Sequence, residues 1–268
     1  MLELIDAGDG RRLERFGERV VDRPAPAADA PRRAPPSAWD GADLRFDRDR
    51  GWSGPPEPWT IELDALTLEL RPATAGQVGL FPEHLTFWPF LREALAGIDS
   101  PTVLHLFAST GATTLALARA GASVTHVDAS RPSVVWARRN ADLSGLGEAA
   151  IRWIVDDALA FTRREARRGR RYDGIVLDPP SYGHGTGGRR WELGQALPDL
   201  LDAIAEVSAD EAVVLLTAHT TGIVANDLAD ALDDAFHGRG DVAAEPIELR
   251  ATSGAILPAG AAARMILR

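Results

Sequence analysis

The sequence predicts an α/β fold, in which a doubly wound, mostly parallel sheet of seven strands is covered by helices and preceded by a small β-rich extension. From about residue 101, short apolar runs alternate with stretches of helical periodicity, which is the order of elements typical of a parallel sheet. Residues 1–75 lack this alternation and carry hairpin signals instead.

Each strand and helix of the main region can be bounded from its pattern. The predicted strands are Thr102–Phe107, Ser123–Val127, Ile151–Val155, Gly174–Leu177, Ala212–Thr217, Ile247–Arg250 and Ala263–Leu267. The predicted helices are Gly111–Ala120, Pro132–Leu143, Ala158–Arg168, Leu193–Val207 and Val224–Phe236. Pro132 lies in a first helical turn, where its missing N–H is tolerated.

The first 75 residues are predicted to be an N-terminal β-rich extension with a connector, and residues 76–268 the main domain. Apolar residues on both sides of Asp9-Gly10 predict one hairpin. A change in the alternation of apolar residues at Asp64-Ala65 predicts a second hairpin.

The segment Pro24–Pro58 lies between these hairpins and is rich in proline, alanine and aspartate. Such a composition is typical of an extended connector. Trp39 and Trp52 are isolated tryptophans within it, and we expect them to anchor the segment to a neighbouring surface.

Composition excludes several classes of protein. The formal net charge of −10 disfavours a broad electrostatic contact with nucleic acid. The absence of cysteine excludes disulfides, thiolate metal sites and thiol nucleophiles, and no metal site is predicted. The sequence has no apolar run of about 20 residues that would span a membrane, and its first residues lack the pattern of a signal peptide. We expect a cytoplasmic protein without membrane contact; its oligomeric state is not predicted.

All 29 residues counted as lysine or arginine are arginine. Two clusters stand out. They are Arg163, Arg164, Arg167, Arg168, Arg170 and Arg171 in one segment, and Arg189-Arg190 in another. Arginine forms bidentate contacts with phosphate. A solvated helix face remains the alternative for the first cluster.

Small or acidic residues follow four consecutive predicted strands. The first strand leads through Phe107–Gly111 into a helix, and such a turn exposes backbone N–H groups that can hold a phosphate or a carboxylate. Asp128 ends the second strand, where a carboxylate can accept hydrogen bonds from ribose hydroxyls. Asp156-Asp157 and Asp178 end the third and fourth strands. Because these ends share one sheet edge, they predict a cofactor that contains adenosine. Helix capping by Asp128 with Ser130, and by Asp156-Asp157, is the structural alternative.

The type of cofactor follows from what the turn lacks. A dinucleotide turn needs three glycines, and only Gly111 is available here. A P-loop needs lysine, which the sequence does not contain. S-adenosylmethionine (SAM) requires less phosphate binding and more polar contacts, so it fits this edge best.

The loop after the fourth strand begins with Asp178-Pro179-Pro180-Ser181-Tyr182. Two prolines fix φ and cannot donate hydrogen bonds, so we expect the carbonyl groups near Asp178 to be rigid and free. A rigid acceptor pocket beside an aromatic ring suits an enzyme that holds a planar amine for alkylation. A plain strand-terminating turn is the alternative.

In order along the chain, these segments resemble class I SAM-dependent methyltransferases of the large-subunit ribosomal RNA type. The matching segments are Leu106–Ala112, Val127–Ser130, Trp136–Asn140, Val155–Ala158 and Asp178–Tyr182. The segment Gly76–Glu83 resembles the one that precedes the catalytic core in that family. Leu4–Gly10 and Leu13–Gly17 resemble a leader found in some members, so the resemblance covers most of the chain.

The resemblance implies a Rossmann-like core with SAM across its carboxyl edge. It implies a cofactor site in which the turn after the first strand lines the methionine side, Asp128 holds the ribose, and Asp157 and Ala158 face the adenine. The cofactor-binding residues implied are Gln77, Phe81, Phe107, Ala108, Ser109, Thr110, Gly111, Asp128, Ala129, Ser130, Asp156, Asp157, Ala158 and Asp178. The catalytic residues implied, which form the methyl-acceptor pocket, are Asp178, Pro179, Pro180 and Tyr182.

The sequence departs from the family pattern in three ways. Ala112 stands where the family often has a second glycine. The RNA-binding domain of some relatives is not evident. Members that methylate carbon 5 of pyrimidines need a cysteine nucleophile, and the sequence has no cysteine. Direct transfer to a nitrogen or oxygen lone pair is the route that remains.

In the predicted mechanism, Asp178 or a carbonyl group beside it accepts a hydrogen bond from an amine of the substrate. Tyr182 stacks on a planar ring, or alternatively anchors the loop. The glycines at 183, 185, 187 and 188 predict a closing lid, in which His184 could transfer a proton.

The sequence thus predicts methyl transfer from SAM to a nitrogen or oxygen, on an RNA base. Three alternatives remain open. The acceptor could be a small molecule or a protein, the protein could be a nicotinamide-dependent dehydrogenase, or it could bind SAM without turnover.

Overall fold

The computed structural model describes residues 1–184 and 190–268. The chain forms two compact units. The first comprises Met1–Glu83 and Ile247–Ala259, and the second comprises His84–Pro246 and Gly260–Arg268. The boundary predicted after residue 75 lies within the first unit.

The first unit is rich in strands, as the sequence predicts. Its elements are β1 Leu2–Gly8, β2 Arg11–Phe16, β3 Arg19–Pro24, α1 Pro36–Asp40, β4 Leu44–Asp47, β5 Gly51–Ser53, β6 Trp59–Leu63, β7 Leu66–Leu70 and a 3-10 helix, Thr74–Gly76. Strands β1 to β5 form one sheet in sequence order, and β6 pairs with β7. Both predicted hairpins are confirmed, because β1–β2 and β6–β7 are antiparallel pairs.

The prediction that Pro24–Pro58 is only a connector is wrong. It contains α1, β4 and β5, and β4 pairs in parallel with β3. The partner strand lies far away in sequence, so the local proline content concealed the pairing. The anchoring role predicted for its tryptophans is confirmed. The indole of Trp39 donates to Asp6 Oδ2 over 3.1 Å, and that of Trp52 donates to the Ala73 carbonyl over 2.7 Å.

The second unit alternates strands and helices. It begins within the 3-10 helix Pro82–Phe87. Its elements are α2 Trp88–Leu95, β8 Thr102–Leu106, α3 Ala112–Arg119, β9 Ser123–Asp128, α4 Arg131–Leu143, β10 Ile151–Val155, α5 Ala158–Arg167, β11 Tyr172–Leu177, β12 Tyr182–His184, β13 Arg190–Glu192, α6 Leu193–Val207, β14 Ser208–Ala218, α7 Ala225–Phe236, β15 Gly240–Arg250 and β16 Ile256–Leu267. The end of β15 and the start of β16 belong to the first unit.

Seven of these strands form one sheet in the order β10-β9-β8-β11-β14-β16-β15. The pairs from β10 to β14 are parallel, and β16 is antiparallel to β14. This confirms the predicted mostly parallel, seven-stranded sheet. Its core joins sheet residues such as Leu104, Ile175 and Val214 to Leu200 and Ile204 of α6, all fully buried. Strand order reverses at β8, and open sheets bind ligands beyond the carboxyl ends of the strands at such a point.

Helix α2 and the small antiparallel hairpin of β12 and β13 were not predicted. Across residues 1–184 and 190–268, no helix combines the length and the apolar content needed to cross a membrane.

Candidate active site at the carboxyl edge of the sheet

The turn after β8 has an unusual backbone. Phe107, Ser109 and Gly111 have φ values of 54°, 50° and 85°, and such conformations store strain that often accompanies function. Gly111 permits the close approach of α4, because a Cβ there would lie 2.9 Å from the Cβ of Ala137. The turn leads directly into α3, whose N-cap residue is Gly111 and so supplies no side-chain cap to the first N–H groups of the helix.

Asp128 closes the same edge at the end of β9. Its Oδ2 accepts a hydrogen bond from the Ser109 N–H and its Oδ1 one from the Ser130 N–H, both over 2.8 Å. Partial burial raises the pKa of Asp128, and these two hydrogen bonds act in the opposite direction. Each carboxylate oxygen can accept a second hydrogen bond, so the group can hold the turn and still bind a hydroxyl.

The helix caps that the sequence offered as an alternative reading are also present in the structure. The Ser130 hydroxyl accepts from the Ser133 N–H over 3.3 Å at the start of α4. Asp157 Oδ1 accepts from the Ala160 N–H over 2.9 Å at the start of α5. Asp156 pairs with Arg164 and also accepts from the Asp157 N–H. These residues lie at the strand ends where the sequence predicts them, and the capping bonds fix their positions.

The loop after β11 is held by a tryptophan. The Trp191 indole donates to the Pro180 carbonyl over 2.6 Å, and its ring packs on Phe107 with centroids 5.1 Å apart. The expectation that the carbonyl groups of this loop are free is therefore wrong for Pro180, because a donor from β13 occupies it. Tyr182 is 67% exposed, so its side chain does not anchor the loop from inside the fold.

Asp178 is surrounded by partners within the protein. The Thr217 hydroxyl donates to its Oδ1 over 2.7 Å. The Nε2 atoms of His219 and His84 lie 3.1 Å from Oδ1 and 3.2 Å from Oδ2, respectively. Burial alone would raise the pKa of Asp178, but the two histidines outweigh it and hold that pKa far below its usual range. Sequence reasoning missed both histidines, since neither belongs to a recognisable motif.

Other predicted residues fall into three groups. Ala108 donates to the Val127 carbonyl over 3.1 Å, and the Thr110 carbonyl accepts from the Asn140 amide over 3.0 Å, so both are part of the turn. Gln77 and Phe81 belong to the first compact unit. Of the predicted lid glycines, Gly183 lies in β12, where it pairs with Trp191. Residues 185–189, and the side chains of His184 and Arg190, lie outside the described part, so the lid, the proton transfer and the second arginine cluster stay predictions.

Comparisons with known proteins identify the family. A family model described as conserved hypothetical protein 95 matches residues 85–191. The crystal structure of the SAM-dependent methyltransferase from Agrobacterium tumefaciens superposes with a TM-score of 0.94 at 36% sequence identity, covering 100% of this chain and 90% of that one. The chain belongs to the SAM-dependent methyltransferases. This confirms the family expected from the sequence and excludes the nicotinamide-dependent alternative.

Two curated relatives match shorter parts of the chain. Ribosomal RNA large subunit methyltransferase K of Neisseria meningitidis is 28% identical over 152 residues, which is 56% of this chain and 42% of that protein. Ribosomal RNA large subunit methyltransferase K/L of Allochromatium vinosum is 38% identical over 115 residues, which is 40% of this chain and 15% of that protein. The match therefore spans less than half the length of either relative.

Proposed function

We propose that this methyltransferase transfers the methyl group of SAM directly to a nitrogen or oxygen atom of an RNA base. The observation that carries the cofactor site is the Asp128 carboxylate, bound through Ser109 to the turn at the carboxyl end of β8. When bound, SAM supplies an activated methyl group on a sulfonium, so the protein has mainly to position the acceptor.

The residues at this edge fit the parts of SAM. The spare acceptor capacity of Asp128 suits the ribose hydroxyls. The uncapped N–H groups at the start of α3 suit a carboxylate, because a helix N-terminus attracts negative charge. Asp156, Asp157 and Ala158 would border the adenine from the end of β10, and Ala129 and Ser130 follow the ribose site. Gln77 and Phe81 are proposed to contact the cofactor on the basis of the resemblance alone.

The acceptor is proposed to lie at Asp178–Tyr182. The exposed Tyr182 ring can stack on a base, a contact worth roughly 1–3 kcal/mol. Pro179 and Pro180 keep the loop rigid, and the Trp191 indole holds it through the Pro180 carbonyl. Without cysteine in the sequence, the acceptor atom must already possess a lone pair.

The arginines after β10 support an RNA substrate. Three of the six pair with carboxylates, namely Arg163 with Asp199, Arg164 with Asp156 and Arg168 with Glu165. Within the described residues, the other three, Arg167, Arg170 and Arg171, are exposed and have no carboxylate partner. Such arginines are available to contact phosphate.

The test is methyl transfer from isotopically labelled SAM to total RNA, followed by analysis of the modified nucleosides. We expect label on a nitrogen or oxygen of one base.

Charge reversal of Arg167, Arg170 and Arg171 should weaken RNA binding. It should also reduce the slope of log affinity against log salt concentration by about 2–3 units. Arg163→Ala is the matched control, because its partner Asp199 already neutralises it. Label in small molecules or protein, with none in RNA, would favour the acceptor class that the net charge of −10 suggests. SAM binding without any transfer would indicate a non-catalytic binding protein.

A further inference from the structure

Three side chains from distant parts of the second unit converge on one point. His84 comes from the 3-10 helix before α2, Asp178 follows β11, and His219 follows β14. Nε2 of His219 lies 3.1 Å from Oδ1 of Asp178, and Nε2 of His84 lies 3.2 Å from Oδ2 of Asp178. The two Nε2 atoms are 3.2 Å from each other. The three side chains are 20%, 19% and 29% exposed, so solvent reaches the group.

Hydrogen bonds alone do not account for the three contacts among His84, Asp178 and His219. Each Nε2 can carry one proton, so two protons must serve three contacts. If both are directed at Asp178, one to each oxygen, the 3.2 Å contact between the two Nε2 atoms has no bridging proton. A cation at the centre satisfies all three contacts at once, because each nitrogen then presents a lone pair and the carboxylate a negative charge.

We infer that His84, Asp178 and His219 bind a divalent transition-metal ion. A metal–ligand distance of about 2.1 Å places two ligand atoms about 3.0 Å apart at a right angle and about 3.4 Å apart at the tetrahedral angle. The observed separations of 3.1 and 3.2 Å lie between these limits. Each imidazole nitrogen therefore lies at ligand-to-ligand distance from the other nitrogen and from one oxygen of the carboxylate, and one ligand atom of each residue lies within 4.8 Å of the other two.

The surroundings hold the ligands in this arrangement. The Thr217 hydroxyl orients the Asp178 carboxylate from the side, and partners of this kind contribute strongly to metal affinity. Gly260 lies against the other side of the His219 ring, since a Cβ there would stand 2.8 Å from Nδ1. The rings of His84 and His219 are stacked at 28° with centroids 5.4 Å apart, so neither ring can rotate without disturbing the other.

The donor set selects the type of ion. Two imidazoles and one carboxylate suit zinc, iron, cobalt or nickel, whereas magnesium and calcium prefer oxygen ligands. Three protein ligands leave further positions for water or for a substrate atom. Asp178 begins the proposed acceptor loop. On the basis of the proposed function, we therefore expect an oxygen or nitrogen of the methyl acceptor to take one of the open coordination positions.

The test uses the full chain, freed of metal with a chelator and titrated with Co²⁺, whose visible absorption reports its ligands. His84→Asn and His219→Asn each remove one ligand. His237→Asn is the matched control, because His237 is an exposed histidine at the end of α7. Circular dichroism verifies that each variant is folded, and since the two ligands come from different elements, either variant alone can decide. Calorimetry with SAM is run on the same samples.

We expect one Co²⁺ per chain, displaced by Zn²⁺ and not by Mg²⁺. Each ligand variant should bind Co²⁺ more than about 100-fold less tightly, beyond the usual effect of losing an outer partner of a ligand. The His237 variant should bind like the wild type. Absence of stoichiometric binding, or binding that survives in a folded ligand variant, overturns the inference. Co²⁺ binding without SAM binding would refute the proposed function and support the metal site. SAM binding without Co²⁺ binding would refute the metal site and leave the proposed function unaffected.

Discussion

A buried histidine should make the stability of this protein sensitive to mild acid. His126 lies in the middle of β9 and is fully buried. Its Nδ1 is 2.9 Å from the Thr114 hydroxyl oxygen, which is 2.7 Å from Nδ1 of His105. Its Nε2 has no hydrogen-bond partner in the described part of the chain. An orphaned lone pair costs less than an orphaned N–H, so Nδ1 carries the proton and donates to Thr114.

The size of the effect follows from the pKa. Burial lowers the pKa of His126 from 6.5 to about 3, so the folded protein resists protonation that the unfolded chain accepts. This contribution to stability is fully present above pH 6.5 and is lost as the pH falls towards 3. Linkage gives a loss of about 2 kcal/mol between pH 7 and pH 5 from this residue alone. Burial also lowers the pKa of His105 well below its ordinary value, so that residue adds to the loss.

The perturbation is His126→Phe, which removes the titration and keeps an aromatic ring beside Trp153, whose ring centroid is 4.8 Å away. Urea unfolding of both proteins at pH 7 and pH 5, followed by circular dichroism, gives the free energies of unfolding. The advantage of the wild type over the variant should shrink by about 2 kcal/mol at the lower pH. Titrating groups remote from His126 cancel in this comparison, whereas His105, whose pKa is lowered in part by His126, does not cancel completely. An advantage that stays the same at both pH values would refute the assignment of a neutral, buried His126.

Three other substitutions probe the fold and the proposed cofactor site. Gly111→Ala should lower the free energy of unfolding by roughly 2–4 kcal/mol, from its positive φ and its contact with Ala137. Ala137→Gly in the same chain should recover the contact part, and no recovery would contradict the steric explanation. Asp6→Ala should cost about 3 kcal/mol, because Asp6 Oδ2 accepts from Arg33, Ala34 and Trp39. Asp6→Asn, which keeps an acceptor oxygen, should cost less in thermal unfolding, and equal costs would be inconsistent with this account. Asp128→Asn should weaken SAM binding about 10–100-fold by calorimetry, whereas unchanged affinity would place the ribose elsewhere.

Local pattern was sufficient to find every strand of the main sheet, although β14, β15 and β16 are longer than predicted. The strand Ile151–Val155 and the helix Leu193–Val207 have the predicted bounds, because continuous apolar runs and helical periodicity end there at turn or polar residues. Strands β4 and β5 could not be predicted in this way. They are short and lie among prolines. Strand β4 depends for its parallel pairing on β3, which the local sequence does not specify, and β5 pairs with β4.

The candidate site likewise contains residues that the local sequence pattern predicts and residues that it did not predict. Asp128, Asp156 and Asp178 could be placed because each directly follows a predicted strand, and the sheet then brings the strand ends to one edge. His84 could not be placed, since its approach to Asp178 depends on the packing of a 3-10 helix against that edge, which no spacing in the sequence encodes. His219 was missed although it comes two residues after the predicted strand Ala212–Thr217 and so carries the same strand-end signal.

Trp191 shows why the acceptor loop needs a partner from outside its own motif. Pro179 and Pro180 have no N–H groups, so these two residues cannot fix the loop through backbone donors. The Trp191 indole supplies a donor to the Pro180 carbonyl, while its ring packs on Phe107 of the turn after β8. One buried side chain thus links the proposed acceptor loop to the proposed cofactor turn. Because direct methyl transfer depends on the distance and angle between cofactor and acceptor, the rigidity predicted from the two prolines requires this indole.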